Sequence, residues 1–339
     1  MRSGLRTMTL RKGNSMEFSK DVLAIDAEKV AGQISDFIRD RVKNYFRRKG
    51  IVIGLSGGID SAVSAALSVR ALGPERVHSL LLPERESNPV SREYGLLCAK
   101  ALGITCEEVD ITPVLESYGV YAKRDAIVKK YFPDIGKDYK FRISLPQDLL
   151  ERDRLNMYRL EVLRTDGSVL TARLSHDDFL EIMATSDIKQ RTRMTQLYYE
   201  AERRFYVVCG TTNLPEALQG FVVKYGDGGV DMEPLQNLYK NQVYQLARHL
   251  GVPKEIIART PSPDTYSYVA SDQEIYFCLP YDTVDLILYA MNHQVPKEKV
   301  AATLGLTMEQ LERAWRDMAH KLKATEHFRN LPPTPVLVM

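Results

Sequence analysis

The sequence predicts an α/β protein built on an open, doubly wound, mostly parallel sheet with helices on both faces. Three observations carry that reading. Short strand-like runs recur at residues 51–55 (IVIGL), 77–83 (VHSLLLP), 105–111 (TCEEVDI) and 205–210 (FYVVCG). Most are apolar at consecutive positions, as strands buried on both faces must be. The segments between the first three carry helical periodicity, and strands alternating with helices imply parallel pairing through crossovers.

Taken in order, Asp26 can cap a helix reaching to about residue 48, with Val30, Ile34, Phe37, Ile38, Val42 and Phe46 at helical spacing. Gly50 ends it. The run 51–55 leads into a Gly-rich turn and a small-residue helix starting near Asp60. After the strand at 77–83, residues 91–103 read as a helix closed by Gly103. Residues 120–178 are charged and less regular, an insertion-like segment. Within it, Asp166-Gly167 separates two alternating runs, the signal of an extra β-hairpin. A long helix is expected over about 176–204, and an amphipathic one over 232–253, closed by Gly251 and stopped by Pro253. The last ninety residues read as mainly helical. Residues 1–18 read as a flexible arm and 19–339 as a single domain.

The chain has 339 residues and a formal charge of +2, which argues against bulk electrostatic binding to nucleic acid or membrane. No apolar run approaches the roughly 20 residues of a membrane span, and the N-terminus lacks the apolar core of a secretory signal. A cytoplasmic location is expected. Cys98, Cys106, Cys209 and Cys278 form no CxxC pair and read as reduced thiols.

The chemistry concentrates in GLSGGIDS, residues 54–61. A strand enters it and a helix leaves it. Gly57 and Gly58 let backbone come close to a phosphate, and the N–H groups at a helix start attract anions. Ser56 and Ser61 add hydroxyls. Asp60 would repel phosphates unless it held a cation, which points to Mg²⁺. The loop lacks the lysine of GxxxxGK[ST] and the spacing of GxGxxG.

SGGxDS loops of this kind occur in several families of enzymes that adenylate their substrates. Five further segments discriminate. GTTNLPEALQGFVVKYGDGGVDMEPLQNLYKNQV from Gly210 resembles the signature of ammonia-dependent NAD synthetases. DIKQRTRM (187–194), TPSPD (260–264), PYDTVD (280–285) and TEH (325–327) follow that family's order. The resemblance implies a ligase that forms a C–N bond. ATP would adenylate the carboxylate of deamido-NAD and release pyrophosphate; ammonia would then displace AMP.

It also implies roles. Gly54, Leu55, Ser56, Gly57, Gly58, Ile59, Asp60 and Ser61 would bind ATP with Thr211, Lys240 and Ser262. Asp60 and Glu216 would hold Mg²⁺. Arg191, Lys224, Asp231 and His327 would bind deamido-NAD. Asp60, Lys240 and Asp264 would act in catalysis, Asp264 near the incoming ammonia. Family members are dimers, so a homodimer is expected. The length leaves no room for a glutaminase domain, so nitrogen would come from free ammonia or from a separate glutaminase.

Some residues depart from the family pattern: Asp187 for asparagine, Asn213 within 212–215, and Phe328 for lysine. They motivate a second reading, an amide ligase of the same fold acting on another carboxylic acid. A third reading, DNA binding through a helix-turn-helix at 295–321, suffers from a mixed-charge second helix in which Trp315 and Met318 look like core.

Overall fold

The computed structural model describes residues 18–153 and 157–335. In chain order the strands are β1 (Ile51–Gly54), β2 (Val77–Leu81), β3 (Thr105–Glu108), β4 (Tyr139–Ser144), β5 (Arg159–Arg164), β6 (Val169–Arg173) and β7 (Val207–Cys209). The α-helices are α1 (Ala27–Asp40), α2 (Ile59–Leu72), α3 (Pro89–Leu102), α4 (Thr112–Ser117), α5 (Val120–Tyr131), α6 (His176–Arg204), α7 (Leu214–Gln219), α8 (Lys240–His249), α9 (Lys254–Ala258), α10 (Tyr281–His293), α11 (Lys297–Leu304) and α12 (Met308–Ala324).

A parallel sheet runs β3-β2-β1-β7, with β1 inside it: Ile51 pairs with Val77 on one side and Val207 on the other. Strand side chains alternate between faces, and β1 shows what that achieves. Ile51 and Ile53 pack with Ala31 and Ile38 of α1, Val63 of α2 and Leu246 of α8. Val52, between them, packs with Leu115 of α4, Tyr121 of α5 and Ala201 of α6. Both faces are covered, as the apolar run at 51–55 predicts.

Several elements differ from expectation. The Asp166-Gly167 hairpin forms, with Gly167 at φ 84° and the Asp166 carboxylate accepting from the Ser168 N–H at 2.8 Å. It joins β5 to β6, but β4 adds a third strand in the order β4-β5-β6. No turn signal announces β4; Phe141 and Ile143 bury its inner face against Leu160 and Val162. The helix expected over 232–253 is only Lys240–His249. Leu235 and Leu238 are buried without being helical, so their spacing mimicked a helix. The helix starts where the Asp285 carboxylate accepts from the Asn241 N–H at 2.7 Å. Strand β7 is shorter than 205–210 because Phe205, at φ 59°, closes α6 in the left-handed region.

Residues 1–17 of the expected arm lie outside the described residues. Phe18 instead packs on the C-terminal helices, 6.2 Å from the Tyr289 ring. Those helices bury Leu311, Ala314 and Met318 of α12 in their own cluster, with Trp315 packed against it. The apolar face of the suspected reading helix is therefore core.

Candidate active site

The loop 54–61 sits at the carboxyl end of β1, where ligands of open α/β sheets bind. Gly57 takes φ 71°, and a Cβ there would collide with the Ser91 carbonyl. The hydroxyls are set by local bonds. Ser56 Oγ accepts from the Gly58 N–H at 3.3 Å, and Ser61 Oγ donates to the Gly58 carbonyl at 3.0 Å. Helix α2 approaches the sheet closely because Ala62, Ser64, Ala65 and Ser68 are small and buried. Its N-terminus thereby faces the loop with unpaired N–H groups. Arg259 braces the outside: its guanidinium donates to the Gly57 carbonyl at 3.1 Å and to Ser91 Oγ at 2.7 Å. Sequence reasoning passed over this arginine, although it directly precedes TPSPD.

Beside the loop lies a buried charge cluster. Lys240, 1% exposed, opens α8 and places Nζ 2.5 Å from Asp60 Oδ2 and 3.5 Å from Glu216 Oε1. Asn213 Nδ2 donates to Asp60 Oδ1 at 3.1 Å. Asn213 also caps α7 in a reciprocal box with Glu216, so one departure from the family pattern here serves the helix that presents Glu216. Tyr281 donates to Asp272 at 2.9 Å and to Glu216 at 3.5 Å. Burial raises the carboxyls of Glu216 and Asp272; Lys240 opposes this, while Asp60 adds to it. Burial works against the lysine's charge, but Asp60 and Glu216 outweigh it and hold its ammonium protonated. Two carboxylates pair with one ammonium, and Asp272, held by Tyr281, adds a third acid nearby. That deficit of positive charge suits a divalent cation with oxygen ligands, so these residues fit Mg²⁺. Asp272 and Tyr281 were not singled out from sequence.

A cavity of about 650 Å³ joins these groups. Gly54, Leu55, Ser56, Gly58, Ile59, Asp60 and Ser61 line it, with Thr211, Glu216, Lys240, Ser262 and Asp264. Asp264 holds φ 49° and accepts from the Asn88 N–H at 3.0 Å, tying the loop after α9 to the start of α3. Arg191, Lys224, Asp231 and His327 do not line the cavity. Arg191 donates to the Lys224 carbonyl at 3.3 Å and pairs with Asp187 at 3.6 Å. The Lys224 ammonium lies 5.4 Å from the Tyr225 ring centroid. Asp231 accepts from the Val208 N–H at 2.8 Å and from Tyr198 at 3.1 Å, fixing the edge of β7. His327 is exposed against the Phe328 ring. The cavity wall is formed instead by Asp187, Arg193 and Phe328, two of them departures from the family pattern.

Next to Thr211, Glu233 accepts from the Thr212 N–H at 3.0 Å and hydroxyl at 2.9 Å. Burial pushes its carboxyl from an ordinary 4.5 up to about 8. A raised folded pKa means that the native state holds a proton the unfolded state has lost. The stabilisation is complete below pH 4.5 and lost as pH rises through about 8. Melting temperature is therefore expected to fall between pH 5 and pH 8, and Glu233→Gln should flatten that slope. A melting profile equally steep in wild type and variant would show that Glu233 does not hold the proton.

A doubly wound sheet, a glycine–serine anion loop at its carboxyl edge and an acid–lysine cluster beside it define a nucleotide-type α/β site. The chain belongs to the NAD synthase family: that family's model matches residues 30–132 and 155–332. It is 41% identical to the NH(3)-dependent NAD(+) synthetase of Rhizobium meliloti (strain 1021), over 93% of either chain. It is 42% identical to that of Mesorhizobium japonicum, over 92% of this chain and 97% of the relative. For Thermotoga maritima the figures are 39%, 74% and 83%. Among solved structures, the NMN synthetase of Francisella tularensis superposes with TM-score 0.64 at 23% identity, covering 93% of this chain and all of the other. The NH3-dependent NAD synthetase of Campylobacter jejuni gives 0.60 at 23%, covering 92% and 100%. At that identity the two structures support the fold. The gap between the matched blocks, 133–154, contains β4.

Proposed function

We infer that the chain catalyses the ATP-dependent amidation of deamido-NAD to NAD with ammonia, releasing AMP and pyrophosphate. One observation carries this: the GLSGGIDS loop and the Lys240 cluster share a single cavity, in a chain closely related to NH(3)-dependent NAD(+) synthetases. The carboxylate oxygen attacks the α-phosphorus of ATP and pyrophosphate leaves. Ammonia then adds to the acyl carbon of the mixed anhydride, loses a proton, and AMP departs.

In this reading the 54–61 loop cradles the polyphosphate with Thr211 and Ser262. Lys240 and Arg259 offset its negative charge, and Asp264 meets the incoming ammonia. Asp60 and Glu216, with Asp272, hold Mg²⁺, which supplies charge neutralisation for the leaving pyrophosphate. The walls exclude water, so that ammonia is the nucleophile that reaches the anhydride. Arg191, Lys224, Asp231 and His327 lie outside the cavity and serve the part of the dinucleotide that extends beyond it. The enzyme works as a homodimer with that outer site near the subunit boundary, in the cytoplasm. Among the described residues the cysteines form no disulfide, which fits a reducing compartment. Among the described residues no helix is long and apolar enough to cross a membrane.

Calorimetry tests the acceptor, with light scattering on the same samples to read the dimer. Wild type should bind deamido-NAD, and Lys224→Ala should weaken binding about tenfold, the loss of one charge-assisted contact. Asp187, Arg193 and Phe328 in the wall give the alternative acid its own signature. No deamido-NAD binding, together with pyrophosphate release on another carboxylic acid, would replace this acceptor.

A further inference from the structure

The cavity wall that carries Ser262, Asp264 and Asp272 has almost no secondary structure of its own. Between the end of α9 at Ala258 and Asp272 the chain runs as bends and open coil. Backbone groups in such a segment need partners from elsewhere. Lys189 of α6 supplies one, donating to the Thr265 carbonyl at 2.9 Å; the Tyr268 N–H and the Val269 carbonyl find theirs on β4, a strand none of whose residues lines the cavity.

The contacts form a continuous strap. The Phe141 carbonyl accepts from the Tyr268 N–H at 2.9 Å, and the Phe141 N–H donates to Ser267 Oγ at 3.0 Å. Arg142 stands at the centre. Its Nε donates to Glu161 on β5 at 2.7 Å; its Nη1 reaches the Val269 carbonyl and Glu274, both at 3.0 Å. The guanidinium also stacks over Tyr268, 4.3 Å from the ring centroid. The Leu145 N–H closes the far end on the Glu274 carbonyl at 2.8 Å. Tyr266 is driven under the strap, edge-on to Phe141 in the core of the antiparallel sheet. A lysine would lack the fixed planar fork that meets Glu161, the carbonyl and Glu274 while stacking on Tyr268.

We propose that Arg142 is a positioning residue for the amidation, holding the 260–274 wall against the cavity from a sheet that does not itself reach it. The inference rests on the functional reading above. Its consequence is chemical. A wall held in place keeps water from the acyl-adenylate, so each AMP released is matched by one amide. A loosened wall admits water, which attacks the same acyl carbon and returns the free carboxylate plus AMP. The strand that supplies the strap lies in the 133–154 stretch between the two family-matched blocks.

The experiment measures AMP and NAD formed from ATP, Mg²⁺, ammonium and deamido-NAD. Wild type should give a ratio near one. Arg142→Ala should raise AMP over NAD about twofold or more and raise KM for ammonium, with Arg142→Lys between the two. A merely structural role would lower the active fraction while leaving the ratio at one. A ratio of one with unchanged KM for ammonium in Arg142→Ala overturns the proposal. Should that variant not fold, Ser267→Ala decides: a raised ratio supports the strap, and a ratio of one refutes it. Should wild type make no NAD, the functional reading has failed instead. The strap is then judged by amide exchange at Tyr268, which Arg142→Ala must accelerate about tenfold or more; unchanged exchange overturns it.

Discussion

Asp60→Ala is expected to abolish pyrophosphate release, lowering turnover by about 10³-fold or more, the scale of losing a principal electrostatic group in a water-poor site. Asp60 accepts from Lys240 at 2.5 Å and from Asn213 at 3.1 Å while lining the cavity. In the proposed mechanism its removal would take away a ligand for the cation, and it frees Lys240 from its closest partner. The fold should persist, because Glu216 and Asp272 still surround the ammonium. Circular dichroism of the variant should match wild type. A folded Asp60→Ala protein that releases pyrophosphate at near-normal rates would remove Asp60 from the chemistry.

Lys240→Met is expected to cost both activity and stability. The side chain is 1% exposed and is the cation that faces Asp60, Glu216 and Asp272. Taking one partner from a buried ion pair typically costs about 3–5 kcal/mol. Here the loss has a pH signature. Without the ammonium, the carboxyls of Glu216 and Asp272, already raised by burial, rise further. Protons bound by the native state then stabilise it at low pH, and that stability drains away as pH rises through the raised values. Urea unfolding should therefore show Lys240→Met recovering towards wild type as pH is lowered from 8 to 6. A pH-independent deficit would mean that methionine is lost packing rather than lost charge. Lys240→Arg should not restore activity, since a larger planar group has no room at a fully buried position.

The parallel sheet was legible because β1, β2 and β7 are buried along nearly their whole length, and strands of that kind leave short, mostly apolar runs; β3, at the edge, is largely exposed. The phosphate loop was legible for a related reason. Gly57, at φ 71° against the Ser91 carbonyl, had to be glycine, and Ser56, Asp60 and Ser61 stand at fixed spacing around it. Lys240 and Glu216 were found only through resemblance; nothing local marks a lysine that will be buried by carboxylates arriving from three other segments. Arg259, Asp272 and Tyr281 were missed for the same reason. Their roles arise from tertiary meeting, and a lone arginine or tyrosine in a sequence has no period to betray it. Strand β4 escaped although YKFRIS at 139–144 alternates, because it pairs with β5 across a long connection that carries no hairpin turn signal. Leu235 and Leu238 misled in the opposite direction, since helical spacing of apolar residues shows burial before it shows helix. Arg193 was not given a role from sequence, although it lines the cavity two residues after Arg191, which the resemblance picks out.

One measurement bears most directly on the account as a whole: product analysis of the wild-type protein with ATP, Mg²⁺, ammonium and deamido-NAD. The account predicts NAD, AMP and pyrophosphate in equal amounts, none of them without deamido-NAD, and none with ADP in place of ATP. Formation of ADP and phosphate, or release of pyrophosphate only with some other carboxylic acid, would contradict it.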